Sequence, residues 1–146
     1  DGVESVDATV PLVACLPETV VSTREARRVL PERVDLKTMS RTVGNAATLT
    51  IGMHRDDPEL IGAGMAESVV TPARAALIDG YDEAVSAAEA AGATGVTVSG
   101  AGPALLAVTH SGDRRAVAAG MIEAFENQGI EARTFSTMIG SGAEIH

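Results

Sequence analysis

The sequence has very few aromatic residues: one tyrosine, two phenylalanines and no tryptophan, which is 2% of its 146 residues, although 45% of the chain is hydrophobic. A core of this chain must therefore be built from Ala, Val, Leu, Ile and Met. No run of about 18 apolar residues occurs, which excludes a membrane-spanning helix. The chain also lacks a basic and then apolar leader and opens on Asp1, so we expect it to be part of a longer polypeptide.

Cysteine and lysine each occur once, as Cys15 and Lys37. A single cysteine cannot form an internal disulfide, which favours a reducing, cytoplasmic setting. The net charge of −9 argues against a nucleic-acid partner, because phosphate backbones bind basic surfaces. An acidic, lysine-poor chain rich in Ala, Thr, Val and Gly is typical of halophilic organisms, whose proteins use negative charge to remain soluble in salt.

The length of the chain predicts one domain over residues 1–146, and hydrophobic periodicity predicts that it is α+β. The predicted strands are 8–16, 95–99, 104–108 and 130–137. Helices are predicted after Ser22, along 36–53, after Asp57-Pro58, at 81–91 and around 117–125. The order β, several helices, β, β, α, β is the split βαβ or ferredoxin-like arrangement, with extra helices in its first crossover. Pro11 favours an edge position for the first strand, because proline cannot donate to a hydrogen-bond ladder.

Two of the predicted helices carry specific sequence signals. Ser22 and Glu25 form a capping box, in which the serine accepts from free N–H groups at the helix start and the glutamate reaches back. Along 36–53, seven residues fall on one helical stripe and predict an amphipathic helix: Leu36, Met39, Val43, Ala46, Ala47, Thr50 and Met53.

The segment Gly100-Ala101-Gly102-Pro103, preceded by Ser99, separates two predicted strands. It does not fit a P-loop, which requires a following lysine, or a Rossmann turn, because a strand rather than a helix follows it. The residues alone leave two interpretations open. The segment is a wide hairpin turn with glycines at positive φ, or its bare backbone faces a ligand.

Residues 95–103, GVTVSGAGP, resemble the third signature of the GHMP kinases, the family that includes galactokinase and mevalonate kinase. The resemblance implies a ferredoxin-like C-terminal domain of that family. It also implies that Ser99, Gly100, Ala101 and Gly102 lie against the phosphate-binding loop and help to shape the nucleotide pocket. Backbone without side chains can approach a phosphate closely and offer N–H donors.

Two further segments, VSTREARRVLP at 21–31 and TPARAALIDG at 71–80, resemble the homoserine kinase branch of the family. With the glycine segment they extend the resemblance, in register, from about residue 10 to the end of the chain. This branch transfers the γ-phosphoryl group of ATP to L-homoserine. The resemblance implies that Arg27 and Arg74 hold the acceptor's carboxylate and that Thr23 lies beside them. Thr23 and Arg27 are four residues apart and therefore share a helix face.

The resemblance also implies what this sequence does not contain. In GHMP kinases the main phosphate loop and the acid that binds Mg²⁺ belong to the N-terminal domain, and neither motif occurs here. We therefore expect no catalytic residue and no metal site in this chain, and no turnover by the chain alone. The expected partners are ATP, L-homoserine, the N-terminal domain and a second copy of the protein.

Other functions fit parts of the same pattern. A mevalonate-type or shikimate-type GHMP kinase also binds an acceptor that carries a carboxylate. A non-catalytic ferredoxin-like module that binds an amino acid would share the order of elements. A purely structural dimerisation domain is a third alternative, in which the first strand, 8–16, uses an unpaired edge to join a partner's sheet.

Overall fold

The computed structural model describes residues 8–140, which form four strands and six helices. In chain order these are β1 Pro11–Pro17, α1 Thr23–Arg28, α2 Leu36–Arg55, α3 Pro58–Gly64, α4 Val70–Ala75, α5 Tyr81–Ala90, β2 Ala93–Val98, β3 Leu105–Thr109, α6 Arg114–Glu126 and β4 Ala132–Met138. No helix among them is long and apolar enough to cross a membrane.

The four strands form one sheet in the order β2-β3-β1-β4, and all neighbours are antiparallel. Helices α1 to α5 lie in the first crossover and α6 in the second. The predicted ferredoxin-like fold with extra helices in its first crossover is therefore confirmed.

The predicted edge position of the first strand is wrong. β1 lies in the middle of the sheet, where Leu12 pairs with Val108 on one side and with Thr137 on the other. Pro11 is its first residue, a position at which proline is tolerated inside a sheet. Because both edges of β1 are paired, residues 8–16 cannot join a partner's sheet as the dimerisation alternative required.

The main core lies between one face of the sheet and helices α5 and α6. Val13 and Cys15 from β1 and Leu105 from β3 meet Met121 and Phe125 from α6, and all five are fully buried. Aliphatic side chains dominate this core, as expected, and Phe125 is its one fully buried aromatic residue among those that the structure describes. Burial raises the pKa of the Cys15 thiol to about 11, so this cysteine stays protonated at neutral pH.

Helix α2 forms as predicted, but the first part of the predicted stripe does not face the domain. Leu36, Met39 and Val43 are 79%, 57% and 62% exposed. The opposite side of α2 packs on α3 through Gly52, where an added Cβ would come within 2.7 Å of the Ile61 backbone nitrogen. Near the end of the helix, Met53 from the stripe and its neighbour Leu49 pack against the small core of Val10, Ile61 and Val108. Hydrophobic periodicity therefore identified mainly the free face of the helix and missed the close glycine contact.

Helix α3 approaches β2 closely enough to exclude even a methyl group. A Cβ on Gly62 would overlap the carbonyl group of Thr94, and a Cβ on Gly95 would come within 2.6 Å of the Gly62 Cα. Gly44, in α2, has nothing within 4 Å of the same added atom. The two helical glycines therefore have opposite requirements.

We expect Gly62→Ala to destabilise the protein by about 1–3 kcal/mol, because the backbone of α3 or β2 must move to admit the methyl group. Gly44→Ala should stabilise it by about 0.5–1 kcal/mol, since alanine restricts the unfolded chain and favours a helix. Both values can be measured by urea denaturation. Equal effects of the two substitutions would contradict the close α3–β2 approach.

Candidate functional site

Helix α1 begins at the predicted capping box. The Oγ atom of Ser22 accepts a hydrogen bond from the Glu25 N–H at 3.1 Å and donates to Glu25 Oε2 at 2.8 Å. Ala26 is fully buried and forms the inner side of the helix, whereas Thr23 and Arg27 are exposed. The local sequence thus places Thr23 and Arg27, two of the residues predicted to bind the phosphoryl acceptor, on the solvent-exposed side of a short, capped helix.

Helix α4 was not predicted, because six residues are too few for hydrophobic periodicity to show. It is fixed by Glu67, whose two carboxylate oxygens accept from the N–H groups of Val69 at 2.7 Å and Thr71 at 2.6 Å. The hydroxyl group of Thr71 lies 2.9 Å from that of Thr97 on β2. These contacts attach α4 to the sheet and place Arg74 in its last turn.

Arg74 joins two of the predicted site segments. Its Nε donates to the Ala26 carbonyl on α1 at 3.3 Å, and its Nη1 donates to the Gly100 carbonyl at 2.5 Å. These partners lie 48 and 26 residues away in the sequence. The three segments that resemble one family therefore meet at the guanidinium group of Arg74.

The glycine segment, residues 99–104, is a compact turn at the end of the β2–β3 hairpin; we call it the glycine loop. Ser99 N–H donates to the Ala104 carbonyl at 2.7 Å, and Gly102 N–H donates to the Ser99 carbonyl at 3.0 Å. Gly100 and Gly102 have φ values of +59° and +86°, which favour glycine. Turn geometry therefore accounts for both glycines.

The outer part of the glycine loop has free donors in addition. An added Cβ at Gly100 meets nothing within 4 Å, so the space outside this residue is open. Within residues 8–140, the N–H groups of Gly100 and Ala101 donate to no protein acceptor. Two adjacent free N–H groups beside open space can bind an anion.

Arg27 has no partner for its charge in the part of the chain that the structure describes. The one contact of a basic with an acidic side chain found there joins His110 Nε2 to Glu59 Oε1, at 2.8 Å. Thr23 and Arg27 make no hydrogen bond to Arg74 or to the glycine loop within the same residues. The structure thus links Arg74 to both segments and leaves Thr23 and Arg27 free on the surface of α1.

A cleft of about 600 Å³ lies beside α4 and the start of α5, and it does not include the predicted site. Its walls carry the carboxylates of Glu67, Asp79, Asp82 and Glu83. Tyr81 also lines it, and burial, followed by the charges of Asp82 and Glu89, raises the pKa of its phenol. Such a cleft repels an anionic phosphate or carboxylate, so Arg27, Arg74 and the glycine loop remain the candidate site.

Residues 49–127, more than half of the chain, match the family model described as GHMP kinases C terminal. The chain therefore belongs to the GHMP kinase family. It is 60% identical over 145 residues to the homoserine kinase of Natronomonas pharaonis and 60% identical over 144 residues to that of Haloarcula marismortui. Both are halophilic archaea, in agreement with the composition.

Each match covers 99% of this chain but only 50% of the relative, so the chain spans about half the length of these curated proteins. The crystal structure of homoserine kinase from Cytophaga hutchinsonii superposes with a TM-score of 0.86 at 30% identity. That match covers 94% of this chain and 43% of the other. The described fold is thus similar to part of a larger protein.

Proposed function

We propose that this chain is the C-terminal, acceptor-binding half of an enzyme that transfers the γ-phosphoryl group of ATP to the hydroxyl group of L-homoserine. The observation that carries the proposal is the double hydrogen bond of Arg74, which joins the helix of Arg27 to the glycine loop. Acceptor and phosphate must lie side by side for phosphoryl transfer. The identity of about 60% to two homoserine kinases supports the same assignment.

In this proposal Arg27 binds the carboxylate of L-homoserine. A guanidinium group suits that role, because its planar fork makes two parallel charge-assisted hydrogen bonds to a carboxylate. Arg27 is exposed and unpaired within the described residues, so no existing interaction has to break first. Arg74 has N–H groups beyond the two already engaged, which can face the same carboxylate, and Thr23 adds a hydroxyl group one helical turn from Arg27.

The glycine loop would form one wall of the ATP site. The free N–H groups of Gly100 and Ala101 would donate to phosphate oxygens, and Ser99 and Gly102 would hold the turn in shape. Mg²⁺ would neutralise charge on the phosphates during transfer. No cluster of three or more His, Cys, Asp or Glu residues suited to a metal lies within residues 8–140, so we assign the magnesium ligands to the N-terminal half.

The activity can be tested by ADP production from the full-length gene product in ATP, magnesium and high salt, with L-homoserine, mevalonate and shikimate supplied separately. We expect turnover with L-homoserine alone and none from the 146-residue chain by itself. Turnover of mevalonate or shikimate would agree with a GHMP kinase but overturn the assignment of L-homoserine as its acceptor. No turnover with any acceptor would favour the non-catalytic amino-acid-binding module.

We propose further that the full-length protein is a cytoplasmic homodimer. We assign to the second copy the exposed part of the α2 stripe, which carries Leu36, Met39 and Val43. Large apolar side chains are rarely left together on the surface of a monomer. A two-fold axis across this helix would pair it antiparallel with its copy, around the small side chains of Ala46 and Ala47. The start of one helix, at Asp35, would then approach the end of the other, at His54 and Arg55.

Light scattering on the full-length protein should give twice the subunit mass. Val43→Asp, which places a charge in the stripe, should reduce the mass to that of one subunit. Thr42→Asp adds the same charge at an exposed neighbouring position outside the stripe and should leave the dimer intact. A monomeric wild type, or a dimer that tolerates Val43→Asp, would contradict this arrangement.

A further inference from the structure

The two carbonyl groups bound by Arg74 have few other ways to be satisfied inside the protein. Near the end of α1, Leu30 N–H donates to the Arg27 carbonyl at 3.4 Å rather than to that of Ala26. The Ala26 carbonyl is thus one of the groups at a helix C-terminus that have no partner within the helix. Arg74 supplies the missing hydrogen-bond donor. The Gly100 carbonyl accepts from no other donor within residues 8–140.

Arg74 is also the only side chain whose hydrogen bonds connect α1 to the glycine loop within those residues. The cap and buried Ala26 also hold α1, and the loop is also held by its own turn bonds and by packing of Gly102 beside the Ile78 side chain. Arginine suits this bridge, because its donors point in several fixed directions from one plane. The ammonium group of a lysine concentrates its donors at one point and cannot span the two carbonyls in the same way.

Each of these bonds fixes the peptide group next to a predicted binding atom. The Gly100 carbonyl and the Ala101 N–H belong to one planar, trans peptide, so they point in opposite directions. When Arg74 holds that carbonyl, the Ala101 N–H is directed away from Arg74. The Ala26 carbonyl likewise belongs to the peptide that leads into Arg27. One guanidinium group thus sets the orientation of a donor in the loop and of the backbone that carries Arg27.

We propose that Arg74 is a positioning residue that couples acceptor binding to nucleotide binding. A ligand that orders α1 would order the glycine loop through Arg74, and a nucleotide on the loop would order α1 in return. Linkage requires that the two ligands then raise each other's affinity by the same factor. The coupling rests on the proposed kinase function, whereas the bridging role of Arg74 does not.

The bridging role is tested first, on the full-length protein without ligands, by amide hydrogen exchange. Arg74→Met keeps the apolar stem and removes the donors, and Arg27→Met is the matched control on α1. We expect Arg74→Met to speed exchange in both 22–30 and 99–104, and Arg27→Met to speed it in neither. Unchanged exchange in the glycine loop of Arg74→Met would overturn the proposal.

The coupling is tested by titrating L-homoserine with and without a non-hydrolysable ATP analogue. In the wild type we expect the analogue to tighten homoserine binding by a factor within the usual range of about 5–150. Arg27→Met should weaken binding with the ratio unchanged, and Arg74→Met should bring the ratio close to one. A preserved ratio in Arg74→Met, or a ratio of one in the wild type, would overturn the coupling. A wild type that does not bind homoserine would refute the proposed function instead, and the exchange result would still decide whether Arg74 is the bridge.

Discussion

Phe125→Ala should lower the free energy of unfolding by about 3–5 kcal/mol, the range found when a buried phenylalanine is truncated. Phe125 is fully buried and is the largest side chain in the core. Its ring packs against Gly80, where there is no side chain. A Cβ atom added at Gly80 would lie 3.1 Å from the Phe125 Cδ1. Among the described residues the rest of the buried core has no aromatic ring, and Tyr81 packs against it while only partly buried, so mainly aliphatic side chains are available to fill the cavity.

The other phenylalanine supplies the control. Phe135 is 54% exposed at the sheet edge, with the Arg133 guanidinium carbon 5.8 Å from its ring centre. Removing this ring leaves no buried cavity and removes one exposed cation–π contact. Phe135→Ala should therefore lower the free energy of unfolding by less than about 1 kcal/mol. Urea denaturation of the two variants measures the difference. Similar losses in both would mean that burial does not set the contribution of Phe125.

Under the proposed function, Arg27→Ala in the full-length protein should lower kcat/KM for L-homoserine about ten- to 150-fold. This is the kinetic equivalent of about 1.5–3 kcal/mol, the contribution of a hydrogen bond to a charged group. The loss should appear without a loss of stability, because Arg27 is exposed and makes no ion pair within the described residues. Steady-state ADP production and a thermal melt of the same preparation measure the two effects.

Arg28 provides a matched comparison, because it is the next residue of α1, is equally basic and is also exposed. It lies on a different face of the helix from Thr23. Arg28→Ala should leave kcat/KM within about two-fold, well inside the spread expected for a surface substitution. If both variants lose activity alike, the helix contributes general positive charge and the carboxylate is bound elsewhere.

Much of the local structure could be predicted because its signals are local. The side chains of Ser22 and Asp57 cap α1 and α3, the helices predicted to follow them. Gly92 and Gly129 adopt the positive φ values expected just beyond a helix. Each of these features is determined within a few residues, and a single sequence contains that information.

The features that were missed depend on contacts between distant parts of the chain. The central place of β1 comes from pairing with strands about 90 and 120 residues further on, which the presence of Pro11 could not indicate. The closest contact of α2 with α3 is made at Gly52, and glycine carries no hydrophobic signal.

Family resemblance named Arg74, Arg27 and Thr23 as acceptor-binding residues, and those roles remain predictions. The resemblance gave no indication that Arg74 binds two main-chain carbonyls. Such a bond depends on the backbone positions of three separate segments rather than on residue type, so no pattern in the sequence encodes it.

The two main-chain bonds of Arg74 also limit how the proposed acceptor preference could be redesigned. Under the proposed function, a substitution at position 74 would change the proposed acceptor site and remove the hydrogen bond to the glycine loop at the same time, so a gain in selectivity would come with a poorer ATP site. The side chain of Arg27 makes no such bond to a second segment within the described residues. A library randomised at both positions should therefore yield altered acceptor preference mainly through changes at 27, with arginine retained at 74.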